Sequence, residues 1–256
     1  MKKFKSQIMI FKVEICVDSV ESAISAQIAG ADRVELCDNL TEGGTTPSSG
    51  SIISARNNLD IGLNVIIRPR GGDFLYSDLE YDIMRRDIEI CGENGADGVV
   101  LGILKADGNI DIDRTARLIE FANPMTVTFH RAYDLCYDPV QGLEDIIATG
   151  AARLLTSGQN DKAPGGAELI RQLVMQGGER IIIMPGGGID ESNIISLVTS
   201  TCVKEIHLTG RKLTDSEMIF RRDSISMGGC PGLMEYSRKV ADPERIKSII
   251  NMLKMI

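Results

Sequence analysis

The stretch AGADRVEL (residues 29–36) is followed by two similar stretches later in the chain, NGADGVVL (94–101) and TGAARLLT (149–156). Each copy ends a helical segment at a glycine and then enters a short apolar run. A helix that stops at glycine and turns tightly into a buried strand is typical of a repeated α/β unit. The repetition therefore predicts a chain built from successive strand–helix pairs.

Eight short apolar runs carry this pattern, and their starts lie about 20 to 36 residues apart. Eight units with right-handed crossovers predict one (β/α)8 TIM barrel over about residues 11–212, followed by a C-terminal extension over 213–256. An open doubly wound sheet is the alternative, although no GxGxxG motif follows the first strand. The runs are KVEICV (12–17), RVELC (33–37), LNVIIR (63–68), GVVLGIL (98–104), MTVTFH (125–130), ARLLTS (152–157), RIIIMP (180–185) and EIHLTG (205–210).

The composition narrows the class of partner. The 256 residues fit a single barrel domain, and an aromatic content of 4% without tryptophan indicates an aliphatic core. A net charge of −8 argues against a nucleic-acid or anionic-membrane partner. The apolar run 8–11 is too short for a signal peptide, and the six cysteines form no CxxC pair. We therefore expect a cytoplasmic protein with no disulfide framework.

Alternation along the strands predicts which side chains enter the barrel, because every second residue faces the helices. Placing the apolar residues outward turns an unusually polar set inward. An interior salt-bridge network that only stabilises the fold is one explanation, and an active site at the strand C-termini is the other. The inward set includes Glu14, Cys16, Arg33, Glu35, Cys37, Asn64, Arg68, Thr126, Thr128, His130, Glu205, His207 and Thr209.

Two of the inward residues are thiols. Cys16 and Cys37 are expected at matching positions on neighbouring strands, where they can share one soft metal ion such as Cu(I) or Zn(II). The alternative is a pair of buried cysteines that act as small apolar residues. The sequence indicates no organic cofactor.

Basic and glycine-rich loops follow several strands. Glycine-rich loops after the seventh and eighth strands bind phosphate in many barrels, so we expect an anion-binding mouth. A tight loop bordered by surface arginines is the alternative. The candidate anion-binding residues are Arg68, Arg70, Arg131, Gly186, Gly187, Gly188, Thr209 and Arg211.

Three further residues are candidates for acid–base chemistry. Glu14 and Glu35 are expected at one level on adjacent strands, where one carboxylate would raise the pKa of the other. His130, at the end of the fifth strand, can move a proton. These residues suggest a barrel enzyme that acts on a small anionic or phosphorylated metabolite.

Eight stretches together form a recognisable pattern. They are EICVDSVESA (14–23), GADRVELCDNLTEGGTTPSSG (30–50), VIIRPRGGDF (65–74), GADGVVLGILKADGNID (95–111), TFHRAYD (128–134), LLTSGQ (154–159), IMPGGGI (183–189) and EIHLTGRK (205–212). In these stretches the chain resembles the CutC copper homeostasis family, from about residue 11 to 212. The resemblance implies a TIM barrel, a cytoplasmic location, a homo-oligomer and a part in copper handling. It also implies that Cys16 and Cys37 bind Cu(I).

Overall fold

A computed structural model describes residues 11–225, 227 and 235–256. The N-terminal lysines and residues 8–10 of the first apolar run lie outside these residues, as does most of the MGGCPG stretch at 227–232. Among the described residues, no helix combines the length and the apolar character needed to cross a bilayer.

Eight parallel strands form the barrel, which confirms the predicted fold. They follow one another around the sheet, β1 lies beside β8, and a bridge between Gly186 and His207 joins the last two strands. The strands are β1 (Lys12–Val17), β2 (Arg33–Leu36), β3 (Gly62–Ile66), β4 (Gly98–Leu101), β5 (Thr126–Phe129), β6 (Arg153–Thr156), β7 (Ile182–Pro185) and β8 (Glu205–Leu208).

Helices surround the strands, and each strand buries apolar side chains against them. Val13, Ile15 and Val17 of β1 belong to this aliphatic core, whereas Glu14 and Cys16 face the barrel interior, as the alternation predicts. The helices are α1 (Val20–Ile28), α2 (Ser49–Asn58), α3 (Asp78–Glu93), α4 (Ile112–Ala122), α5 (Pro139–Thr149), α6 (Ala167–Gly177), α7 (Ile194–Thr201) and α8 (Pro243–Leu253).

Residues 213–256 contain the last helix of the ring. After β8, the chain forms an antiparallel hairpin from β9 (Arg211–Asp215) and β10 (Ser237–Ala241). It then enters α8, which packs between α7 and α1. Ile246, Ile249, Ile250 and Leu253 of this helix are buried. The C-terminal segment therefore completes the eighth strand–helix unit, and the hairpin is an insertion within that unit.

Candidate functional site

A network of charged side chains fills the lower half of the barrel. The Glu14 carboxylate is fully buried and accepts hydrogen bonds from Arg33 (2.6 Å), Asn64 (2.8 Å) and Nδ1 of His207 (2.8 Å). Burial disfavours its ionisation, but the hydrogen bond from His207 and the charge of Arg33 outweigh this effect and lower the pKa of Glu14 to about 2. Glu14 is therefore a fixed negative charge inside the barrel.

Glu205 extends this network towards β6. Its Oε2 atom lies 2.5 Å from Nη2 of Arg33 and 2.9 Å from Nε of Arg153. Buried charges of opposite sign thus lie side by side, which limits the cost of removing them from water. This part of the interior agrees with a structural salt-bridge network.

The register of β1 and β2 differs from the one expected. Glu14 lies opposite Arg33, and Cys16 lies opposite Glu35. The prediction that Glu14 and Glu35 share one level is therefore wrong, and so is the matching position of Cys16 and Cys37. Strands in a closed barrel are staggered along the axis, so equal positions in successive sequence runs do not face each other.

The two thiols nevertheless meet near the mouth. Their sulfur atoms are 3.7 Å apart, both residues are buried, and the Glu35 carboxylate lies beside them. One ligand atom from each of these three residues falls within 4.8 Å of the others. Ile66 and the half-buried Leu40 pack against the thiols. The three side chains could hold a metal ion.

Neighbouring groups shift the pKa values of the two thiols in opposite directions. The hydrogen bond from Cys37 is the main cause that lowers the pKa of Cys16 to about 5, and His207 contributes in the same direction. Burial and then the Cys16 contact raise the pKa of Cys37 well above its usual value. Cys16 is therefore the thiolate of the pair at neutral pH.

The negative charge of Cys16 raises the pKa of both neighbouring groups, which favours the neutral form of Glu35 and the charged form of His207. Burial, followed by the negative charge of Cys16, raises the pKa of Glu35 well above its usual value. Burial disfavours the charged form of His207, but hydrogen bonds with Cys16 and Glu14 raise its pKa well above 6.5. The imidazolium of His207 therefore lies between one thiolate and one carboxylate.

An open cavity of about 450 Å³ lies above the thiol pair at the C-terminal ends of the strands. Cys16, Glu35 and His207 form part of its floor. Of the residues predicted from sequence, Arg68, His130, Arg131, Gly187, Gly188, Thr209 and Arg211 line it.

Four predicted residues do not line this cavity: Glu14, Cys37, Arg70 and Gly186. Glu14 is beneath its floor. Arg70 turns outward, where Glu80 (2.5 Å) and Asp73 (3.0 Å) hold its guanidinium. Gly186 packs inside the barrel, where an added Cβ would lie 2.6 Å from the Leu155 side chain. The cavity therefore contains most of the predicted anion-binding set but not Arg70 or Gly186.

Arg68 is buried and anchors a loop. Its Nη1 donates to the carbonyl oxygens of Glu42 and Gly44 (both 2.8 Å), and its Nη2 donates to that of Gly72 (2.7 Å). Among the described residues, no carboxylate forms an ion pair with Arg68. The guanidinium also lies over the Phe74 ring, 5.0 Å from its centroid. Residues 38–46 are therefore held in place by this side chain.

His130 occupies an apolar and positively charged environment. Its ring lies 4.9 Å from Phe74 and 6.1 Å from Phe129, centroid to centroid. Burial and then the charge of Arg68 lower the pKa of His130 to about 3. Nδ1 accepts a hydrogen bond from the Ala132 backbone, whereas Nε2 has no partner in the described part of the chain. His130 is therefore a neutral imidazole whose Nε2 carries the proton.

Comparison with known proteins agrees with this architecture. The model of the CutC family matches residues 11–212. The chain belongs to the CutC family. A CutC family protein of Chromobacterium violaceum is 50% identical to it, over 93% of this chain and 96% of the relative. The human copper homeostasis protein cutC homolog is 44% identical, over 96% of this chain and 90% of the relative.

A crystal structure of CutC from Streptococcus agalactiae shares the fold. It superposes with a TM-score of 0.75 at 36% identity, and the alignment covers 78% of this chain and all but 1% of the other. The names of these CutC relatives connect the family with copper homeostasis.

Three residues at or beside the cavity are not among the predicted site residues. Strand alternation predicts His207 only as an inward partner for the buried carboxylates, and its register partner is Glu14. Asp134 binds Arg131 (2.7 Å) and orients it at the cavity. The Lys162 side chain packs against Gly188. The inward position of His207 follows from strand alternation, whereas Asp134 and Lys162 lie in loops whose paths alternation does not encode.

Proposed function

We propose that this CutC family member acts in copper homeostasis by binding one Cu(I) ion between Cys16 and Cys37. The observation that carries the proposal is the 3.7 Å separation of the two sulfur atoms, next to an open cavity that Cys16 lines. Thiolates select Cu(I) over hard cations, and two such ligands suffice to distinguish this site from a magnesium or calcium site.

The surroundings support a soft metal ion. Glu35 offers one oxygen within 4.8 Å of both sulfur atoms, and Ile66 excludes water from one side. Binding at Cys37 releases a proton, because the metal ligand is the thiolate. The positive charge of His207 beside Cys16 balances part of the negative charge that two thiolates and a carboxylate would bring.

The proposal also includes a cellular location and an oligomeric state. We infer a cytoplasmic location, where thiols stay reduced, and this suits five described cysteines that are all free. We also infer a homo-oligomer, as the family resemblance implies. Light scattering coupled to size-exclusion chromatography tests the assembly, and a single monomer peak would contradict it.

Titration of Cu(I) against a strong chelator tests the metal site. The experiment uses a Cys202→Ser background, because this exposed thiol can bind copper adventitiously. We expect one Cu(I) per chain, and we expect its loss in the Cys16→Ser/Cys37→Ser variant. Cys91→Ser, which removes a buried thiol of α3, is the matched control and should keep the ion. Equal affinity in the double variant and the control would refute the proposal.

A second candidate function is an acid–base reaction of Glu14, Glu35 and His130 on a small anionic metabolite. The cavity favours it, because Glu35 and His130 both line the same space. The distribution of charge favours it less, since Glu14 is occupied by Arg33 and His207. A screen of anionic metabolites for thermal stabilisation tests this function, and the absence of any stabilising compound would count against it.

A further inference from the structure

Two cationic side chains pack against the glycines that follow β7: Arg131, which lines the cavity, and the exposed Lys162. An added Cβ at Gly188 would lie 2.7–2.9 Å from carbon atoms of the Lys162 side chain. One at Gly187 would lie 3.2 Å from Nη1 of Arg131. Both glycines have a positive φ, +100° at Gly187 and +67° at Gly188. Glycine is therefore required here for the backbone path and for the close approach of the cations.

Several donors at this place have no acceptor within the described part of the chain. They are the backbone N–H groups of Gly188 and Ile189, Nη1 of Arg131 and Nζ of Lys162. Asp134 neutralises Arg131 through Nε (2.7 Å). The same carboxylate also accepts hydrogen bonds from Thr156, Ser157 and Gln159, so its oxygens are engaged on the side of β6.

The other side of the subsite comes from the end of β8. Thr209 and Arg211 line the same cavity as Gly187 and Gly188. Nη1 of Arg211 is 3.6 Å from Asp18, a distance longer than a hydrogen bond, and its other nitrogens have no acceptor among the described residues. Gly188 thus lines one cavity together with Arg131 and Arg211, and Lys162 packs against the same glycine. Cationic side chains beside free backbone N–H groups suit a dianion.

We propose that these residues form a phosphate subsite, and that the cavity binds a small phosphate monoester whose organic part extends from the β7 and β8 loops towards the thiol pair. The cavity volume of about 450 Å³ fits a small metabolite, because ligand pockets measure roughly 300–1,000 Å³. Backbone N–H groups with two or three cations favour a phosphate over a singly charged carboxylate. This site is separate from the proposed copper ligands.

Calorimetric titration at constant ionic strength tests the subsite with three probes: inorganic phosphate, glycerol 3-phosphate and glycerate. We expect the two phosphates to bind and glycerate to bind at least about tenfold more weakly, since one lost charge-assisted hydrogen bond costs about 1.5 kcal/mol or more. Glycerate affinity equal to that of glycerol 3-phosphate would overturn the proposal, as would the absence of phosphate binding.

Variants locate the binding. Lys162→Gln and Arg131→Gln should each weaken phosphate binding about tenfold, by the same loss of a charged donor. Arg171→Gln is the matched control, because it removes one positive charge from an exposed pair with Glu168 on α6. Unchanged affinity in Lys162→Gln, which is exposed and cannot endanger the fold, would place the phosphate elsewhere. The Cys16→Ser/Cys37→Ser variant should bind phosphate normally, so this result is independent of the copper experiment.

Discussion

The sulfur atoms of Cys16 and Cys37 are 3.7 Å apart, although Cys16 faces Glu35 across the β1–β2 ladder and Cys37 lies two residues further on. The stagger of the strands therefore brings three groups together instead of two. Glu35 lies at the same level of the barrel as Cys16. Cys37 follows two residues later on β2, and its side chain extends towards Cys16. This arrangement gives the pair a carboxylate neighbour, which a simple side-by-side pair would lack.

Glu14 should be essential for stability. Replacement by Gln keeps the shape but removes the charge that faces Arg33 and His207, and it leaves a buried guanidinium with Glu205 alone. Breaking a buried pair costs about 3–5 kcal/mol, and we expect a loss of this size in the free energy of unfolding. Urea denaturation measures it. Glu144→Gln, in an exposed pair with Arg180, is the control and should change stability little.

Arg68 should control the order of residues 38–46. Arg68→Met removes three hydrogen bonds to backbone carbonyls of Glu42, Gly44 and Gly72. We expect faster proteolytic cleavage within this loop and a stability loss of about 2–4 kcal/mol, because the freed carbonyls are partly buried. Arg70→Met is the matched control, since its guanidinium contacts exposed groups outside the cavity. Equal cleavage rates in the two variants would show that Arg68 does not anchor the loop.

His130 should make folding stability depend on pH. The pKa of His130 is about 3 in the folded chain, against 6.5 for an ordinary histidine. Below pH 6.5 the unfolded chain binds a proton that the folded chain excludes, so stability falls as the pH is lowered towards 3. The contribution reaches about 1.4 kcal/mol per pH unit.

Comparison with a variant isolates this contribution from other acid-sensitive groups. Between pH 6.5 and 5, wild type should lose about 1.6 kcal/mol more than His130→Asn, because the slope has half of its full value at pH 6.5 and approaches the full value below it. An NMR titration provides the direct check, in which the His130 ring signals should stay constant from pH 8 to 5. A titration midpoint near 6.5 would contradict the burial of a neutral ring.

The C-terminal helix should be part of the core. Ile249 of α8 is fully buried between α1 and α7, so Ile249→Ala should cost about 2–5 kcal/mol, as other buried large-to-small replacements do. Met255→Ala, at a position that is 80% exposed, is the control and should be nearly neutral. Thermal unfolding of both variants measures the difference. Equal midpoints would indicate that α8 docks loosely.

Much of the fold followed from the sequence because alternation and glycine stops act locally. The inward direction of Glu14 and Cys16 needed only the apolar pattern of β1, and the strands needed only their runs of branched residues. The register did not follow, because the stagger of Glu14 against Arg33 depends on closure of the whole barrel. The same limit applies to α8, whose docking surface on α1 is formed by residues more than 200 positions earlier.

The candidate site could be predicted less completely from the sequence than the fold. Strand ends located Arg68, His130 and Arg211 at one mouth, because parallel strands place their C-termini together. The outward turn of Arg70 depends on Glu80 and Asp73, which compete for its guanidinium. Lys162 reaches Gly188 only through the folded path of residues 157–166. Loop contacts of this kind decide which charges face a ligand.

The position of α8 also bears on how the molecule assembles. This helix packs against α1, and β8 pairs with β1, so both closing contacts join segments from opposite ends of the barrel sequence. Such long-range contacts form late and slow the final folding step, because the loop they close is long. Until then the side of α8 that meets α1 and the edge of β8 that meets β1 are uncovered, and an incompletely folded chain presents an open seam to which a chaperone or a second unfolded chain can attach.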